Sequence, residues 1–183
     1  MEFLSNLWMP IVLSAVFVWI ASAILHMVLP HHKGEFKGLP DENSLLNALK
    51  GVDAGQYMFP WCSDMKAMKD PAFVEKMKNN PNGVVTVWPG PVEMGRNMFL
   101  TFLFFLVSSV FVAYVCWHAR SEMPDYMAVF RMAGTIAFLA YGFGWIPPMI
   151  WFRTKGFWAH LFDAVVMCLL TAGTFGWLWP HGM

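Results

Sequence analysis

Charge is the first thing this sequence is short of. Asp, Glu, Lys and Arg make up 13% of its 183 residues, about half the share found in soluble domains. The 12 basic and 12 acidic residues cancel, so no basic surface is offered to nucleic acid and a nucleic-acid partner is not expected. Cysteine is scarce as well. Of the 3 present, Cys116 and Cys168 fall inside apolar runs and only Cys62 lies in a polar region, which excludes a disulfide framework and a paired-thiolate metal site. No HExxH pattern occurs, so the commonest helical zinc-hydrolase signature is missing. No Lys or Arg precedes Lys33. Ala21-Ser22-Ala23 has the small-residue spacing of a signal-peptidase site, but without a basic leader the first apolar run is expected to be kept as a span.

What the chain has instead is apolar bulk: 57% hydrophobic residues, with 17 Phe, 15 Met and 10 Trp. That composition points to a membrane protein. Four runs, at about 7–29, 98–117, 127–151 and 157–179, carry almost no charge; Arg131 interrupts the third and Asp163 the fourth. A helix rising about 1.5 Å per residue needs roughly 20 residues to cross the hydrocarbon core. Backbone groups in lipid find no water, so each run should be helical. Trp8, Trp117, Tyr126, Trp151, Trp158, Trp177 and Trp179 sit near the run ends, where amphipathic rings settle at interfaces. Pro147-Pro148 removes two backbone donors and is expected to kink or end the third helix, leaving "MIWF" bent or partly unwound.

The fold class predicted is therefore an all-α membrane protein, a four-transmembrane-helix bundle with a small α+β insertion between helices 1 and 2. The chain 1–183 is read as a single membrane domain carrying the extramembrane insertion 30–95. Within that insertion "LPDENSLLNALKG" reads as a helix capped by Asp41 or Ser44 and stopped at Gly51, and "KDPAFVEKMKNNPNG" as a helix capped by Asp70 with Pro71 in its first turn. "QYMF" and "VVTVW" read as short strands that could pair. Cys62 precedes an expected helix cap at Ser63, and a buried, inert thiol is the preferred reading over a reactive one. Ten of the twelve basic residues lie on the insertion's side of the four spans, Arg153 and Lys155 of the short "RTK" turn among them. This bias places the insertion in the cytoplasm and the termini outside.

Chemistry concentrates at "HMVLPHHKGEFKGLPDE", which holds His26, His31 and His32, half of the six histidines. His26 heads a four-residue row with Ser14, Val18 and Ser22 on the first helix. His160 heads a row of small residues, Ala164, Cys168, Ala172 and Gly176, on the fourth, a face suited to close helix packing in lipid. Helix 1 ends and helix 4 begins on the same side, so His26, His31, His32, His160 and Asp163 are predicted to share one level, with Glu35, Arg96 and Arg153 at similar depth. A charged Asp inside a span costs several kcal/mol unless partnered. His160, His26, Arg153 and Arg131 are the partners by residue type. Two readings follow. In one, His26, His31, His32, His160 and Asp163 bind a divalent metal such as Zn or Fe. In the other, a His160–Asp163 hydrogen bond fixes helix register while His31 and His32 stay wet. A His–Asp proton relay is a third. His118 and His181 read as interfacial residues on the opposite side.

The segments "HMVLPHHKGEFKGLPDE", "MFP" and "FRMAGTIAFLAYGF…LLTAGTFGWLWP" resemble a family of uncharacterised bacterial inner-membrane proteins of about this size. The resemblance implies a bacterial inner-membrane location and supplies no catalytic residue. The leading functional expectation is a small integral membrane protein that acts by binding, as an accessory subunit of a membrane complex or as a homo-oligomer in the lipid bilayer. The alternative is a metal-dependent membrane enzyme or redox protein built on the His/Asp cluster. A channel is weaker, because one central acid offers little polar lining.

Overall fold

Uncharged apolar runs of this length can satisfy their backbone only within themselves, and each forms a helix in the computed structural model, which describes residues 2–122 and 125–180. Four segments are long and apolar enough to cross a membrane: Glu2–Met27 (α1), Met94–His118 (α4), Tyr126–Phe152 and Phe157–Trp177 (α7). The third is broken, running as α5 (Tyr126–Gly142) and α6 (Ile146–Phe152). α1 packs on α4 and α7, and α5 packs on α4 and α7, so the four spans close into a ring. The fold is an all-α four-helix bundle with a small α+β insertion.

The bundle interior is made of small and medium side chains: Ala15 and Val18 of α1, Val112 and Ala113 of α4, Ala133 and Ala137 of α5, and Ala164 and Ala172 of α7. Lipid is as apolar as these residues, so close van der Waals contact holds the helices together. The four-residue row predicted on the last helix does face inward. A Cβ added at Gly134 of α5 would lie 3.1 Å from the Ala172 Cβ, which shows how near the two helices come. Polar pins add register. Ser14 and Ser109 share a buried hydrogen bond of 2.9 Å between α1 and α4, and the Trp19 indole donates to the Met98 carbonyl at 3.0 Å. Such bonds contribute about 0.6 kcal/mol each in membrane bundles, enough to select a register but not to drive association.

Two sequence expectations need correction. Pro147 and Pro148 do not end the third span; they lie in the first turn of α6, and "MIWF" is regular helix. Proline has no amide hydrogen to lose where the first-turn amides are unpaired anyway. The break falls earlier, at residues 143–145, and α6 ends at Arg153 in the left-handed region (φ 53°). The aromatic belt is also incomplete. Trp8, Trp151, Trp158 and Trp177 are exposed, whereas Trp117 and Trp179 are buried in the bundle. The Trp117 ring carries the Arg120 guanidinium 4.5 Å from its centre.

The chain divides into two compact units, Met1–Phe36 with Glu93–Met183, and Lys37–Val92. In the second, α2 (Glu42–Ala48) is capped by Asp41, whose carboxylate accepts from the Ser44 amide at 3.1 Å, and α3 (Pro71–Asn79) by Asp70, which accepts from the Ala72 amide at 2.8 Å. Both caps satisfy amides that a helix start leaves free. Strand β1 (Gly55–Phe59) pairs antiparallel with β2 (Gly83–Val87), Gly55 opposite Val87 and Phe59 opposite Gly83. The cap expected at Ser63 is supplied by Asp64, which accepts from the amides of Lys66 and Ala67 at 2.7 Å. Cys62 is half-buried, its thiol donating to the Asp64 carbonyl.

Candidate metal centre

The site begins in the last turn of α1. His26 Nδ1 lies 3.0 Å from the Ser22 carbonyl oxygen. A carbonyl only accepts, so the proton must be on Nδ1, which leaves Nε2 of the neutral ring as a lone pair pointing away from the helix. The chain then leaves α1, and Pro30 opens one tight helical turn, Pro30–His32, closed by the Lys33 amide on the Pro30 carbonyl at 3.1 Å. Proline's fixed φ and missing donor suit it to that first position. The turn brings His31 and His32 onto the first turns of α7.

Asp163 of α7 receives them. Its side chain is only 4% exposed, and Oδ1 is 2.7 Å from His31 Nε2, Oδ2 is 2.7 Å from His32 Nε2 and 3.6 Å from His26 Nε2. Among the described residues, the His31 and His32 imidazoles are its hydrogen-bond partners. They answer the several kcal/mol that an isolated carboxylate would cost inside a span. The His26 and His32 rings stack, 4.5 Å between centres and 13° between planes. Phe162 meets the His31 ring edge-on at 5.6 Å.

The other nitrogen of His32 is also engaged, since Nδ1 bonds the Glu35 carboxylate. Burial pulls the His32 imidazole toward its neutral form, but the hydrogen bonds and charges of Glu35 and Asp163 together outweigh it and hold its pKa above the ordinary value. Glu35 Oε1 is 3.7 Å from His160 Nε2. The Glu35 carboxylate rests against Gly156, which precedes α7 with φ 101°; a Cβ there would collide with it. The break in the third span supplies the last wall: Trp145 stacks on the His160 ring at 5.5 Å and 25°. Glu35, Trp145, Lys155 and His160 border a pocket of about 320 Å³.

All five residues predicted for the site come together, but not as one shell. His26, His32 and Asp163 each offer a ligand atom with all three atoms within 4.8 Å of one another, and so do His32, Glu35 and His160. Imidazole and carboxylate at such spacing can hold a divalent metal, whose bonds of about 2.0–2.2 Å leave ligand atoms roughly 3.3 Å apart. His31 stands outside both sets, on the far oxygen of Asp163, where it orients the carboxylate. The predicted His160–Asp163 pair does not form: His31 and His32 take the two Asp163 oxygens, and His160 turns to Glu35 instead. His31 and His32 are not wet; their side chains are 23% and 13% exposed. Arg131 bonds the Met127 carbonyl of its own helix. Sequence reasoning placed Glu35 at the right depth without making it a ligand; its i,i+3 spacing from His32 was the available signal. Gly156 and Trp145 carried none. His118 lies exposed at the end of α4, and His181 lies outside the described residues.

The fold and cluster together define a class, a multi-pass helix bundle with a histidine–carboxylate centre where α1 and α7 meet. Comparison with protein-family models, curated proteins and solved structures found no match for the chain.

Proposed function

We propose that the protein is a metal-dependent integral membrane enzyme or redox protein that holds a divalent transition metal, Zn or Fe, through His26, His32 and Asp163. One observation carries this reading: two imidazole nitrogens, from α1 and the Pro30 turn, converge on a nearly buried carboxylate of α7. Two supporting contacts have the form that metal sites use. The Ser22 carbonyl fixes the His26 tautomer with Nε2 free, and His31 holds the second carboxylate oxygen. Nitrogen and oxygen donors without thiolate suit Zn and Fe better than Cu(I). Metal analysis of full-length protein, extracted in mild detergent without chelator, tests the reading. About one equivalent or more of Zn or Fe per chain, reduced by one equivalent in Asp163→Asn, supports it; under about a tenth of an equivalent refutes it.

A second reading has one observation in its favour. Both nitrogens of His32 face carboxylates, so Asp163, His32 and Glu35 form a chain along which a proton could pass. Metal-free protein that retains its function would select this reading. The bacterial inner-membrane location, a cytoplasmic insertion and external termini are proposals that rest on the resemblance and the basic-residue bias; reporter fusions at the two termini and in 37–92 test the sidedness. Whether the protein works as an accessory subunit or a homo-oligomer is tested by its native mass after gentle extraction, and a lone monomer ends both ideas.

A further inference from the structure

We propose a second metal site on the opposite edge of the same ring: His32 Nδ1, Glu35 and His160 take a second divalent transition-metal ion, and His32 bridges the two ions. The inference rests on the first centre, because the two sites share His32. His32 is the only residue common to the two ligand groups, giving Nε2 to the side of Asp163 and Nδ1 to the side of Glu35. An imidazole can serve two metals at once only when its nitrogens face two separate donor sets, and this ring does. Each metal replaces one ring proton, which leaves to solvent. With bonds of about 2 Å on either side of the ring, the ions would stand roughly 6 Å apart.

Three features of the second set go beyond a simple ion pair. His32 and His160 both approach one oxygen of Glu35, Oε1, and two nitrogen donors and one oxygen donor lie within 4.8 Å of one another. The Glu35 carboxylate occupies a space kept open by Gly156, where no side chain fits. Trp145 fixes the plane of the His160 ring by stacking. The 320 Å³ pocket lies on this side, with Glu35 and His160 in its wall. The second ion would therefore have a coordination position open to water or a small ligand, as catalytic metal sites require.

The test is the metal stoichiometry of the full-length, detergent-solubilised protein titrated with Zn(II). Two equivalents per chain are expected for the wild type. Glu35→Gln and His160→Gln should each bind one and keep the first centre, and Asp163→Asn should bind one and keep the second. Loaded with Cu(II), the wild type should give magnetically coupled spins rather than two isolated copper signals. A wild type that binds one equivalent, lost in Asp163→Asn and kept in Glu35→Gln, overturns the second site and leaves the first standing. No binding at all removes both. Two equivalents in the wild type and in both Glu35→Gln and His160→Gln place the second ion elsewhere, and two uncoupled copper signals break the bridge.

Discussion

His26 and His118 each sit in the last turn of a membrane-spanning helix, α1 and α4. Each uses Nδ1 to bond the carbonyl four residues back, at 3.0 Å for His26 and 2.8 Å for His118. Locally they are the same device, a histidine folded back on the carbonyl four residues earlier in its own helix. Their other nitrogens differ. His26 Nε2 looks toward Asp163 at 3.6 Å, with His32 stacked on its ring. His118 has the Tyr114 ring 4.3 Å away, and among the described residues it has no carboxylate partner. A ring of fixed tautomer becomes a candidate ligand only when another element delivers an acid to it.

The strongest way to break the comparison is to remove that acid. Asp163→Asn should lower metal affinity at the first centre by about a hundredfold or more, beyond what loss of an outer contact costs, whereas His118→Gln should leave it unchanged; isothermal titration with Zn(II) reads both. Next is His31→Gln, which frees the far oxygen of Asp163 without touching the ligand set. A loss of about 10–100-fold is expected, and an unchanged constant would deny His31 its orienting role. Gly156→Ala forces a side chain into the left-handed region and against Glu35. It should cost about 1–3 kcal/mol of stability, seen as a lower thermal midpoint, while Gly144→Ala, where a Cβ meets nothing within 4 Å, serves as the control.

The smallest effect isolates a contact that is local only. Hydrogen bonds from Ser44 hold the Asp41 carboxyl below its ordinary value of 3.8. A depressed acid stabilises above its unfolded pKa and loses that contribution as pH falls through the folded one. Amide protection in α2 should therefore be constant above about pH 5 and decline below pH 4, and Asp41→Ala should remove the pH dependence without changing metal binding.

Much of the bundle was legible because lipid leaves the backbone so few options. Four uncharged runs had to be helices, and Asp41, Asp70 and Pro71 announced the starts of α2 and α3 through amides that need acceptors. The break in the third span was misplaced, since the rule that proline disrupts a helix interior does not say whether the proline lies inside one helix or starts the next. At the site, the helix ends and their common side were readable from span order, which is why His26, His31, His32, His160 and Asp163 could be grouped. The pairing inside the group was not. Spacing along α7 suggested His160 for Asp163, and the turn after Pro30 put His31 and His32 there instead.

By itself the sequence determined that this chain forms apolar helices, where they begin and end to within a few residues, and that one acid and several imidazoles lie at the same end of them. These are consequences of composition and period, which act within a single element. Only the tertiary structure decided which nitrogen meets which oxygen, that Glu35 joins the cluster, and that Trp145 and Gly156 shape it. Those outcomes depend on the packing of α1 against α7 and on the path of one tight turn, where a rotation of a few tens of degrees exchanges one partner for another.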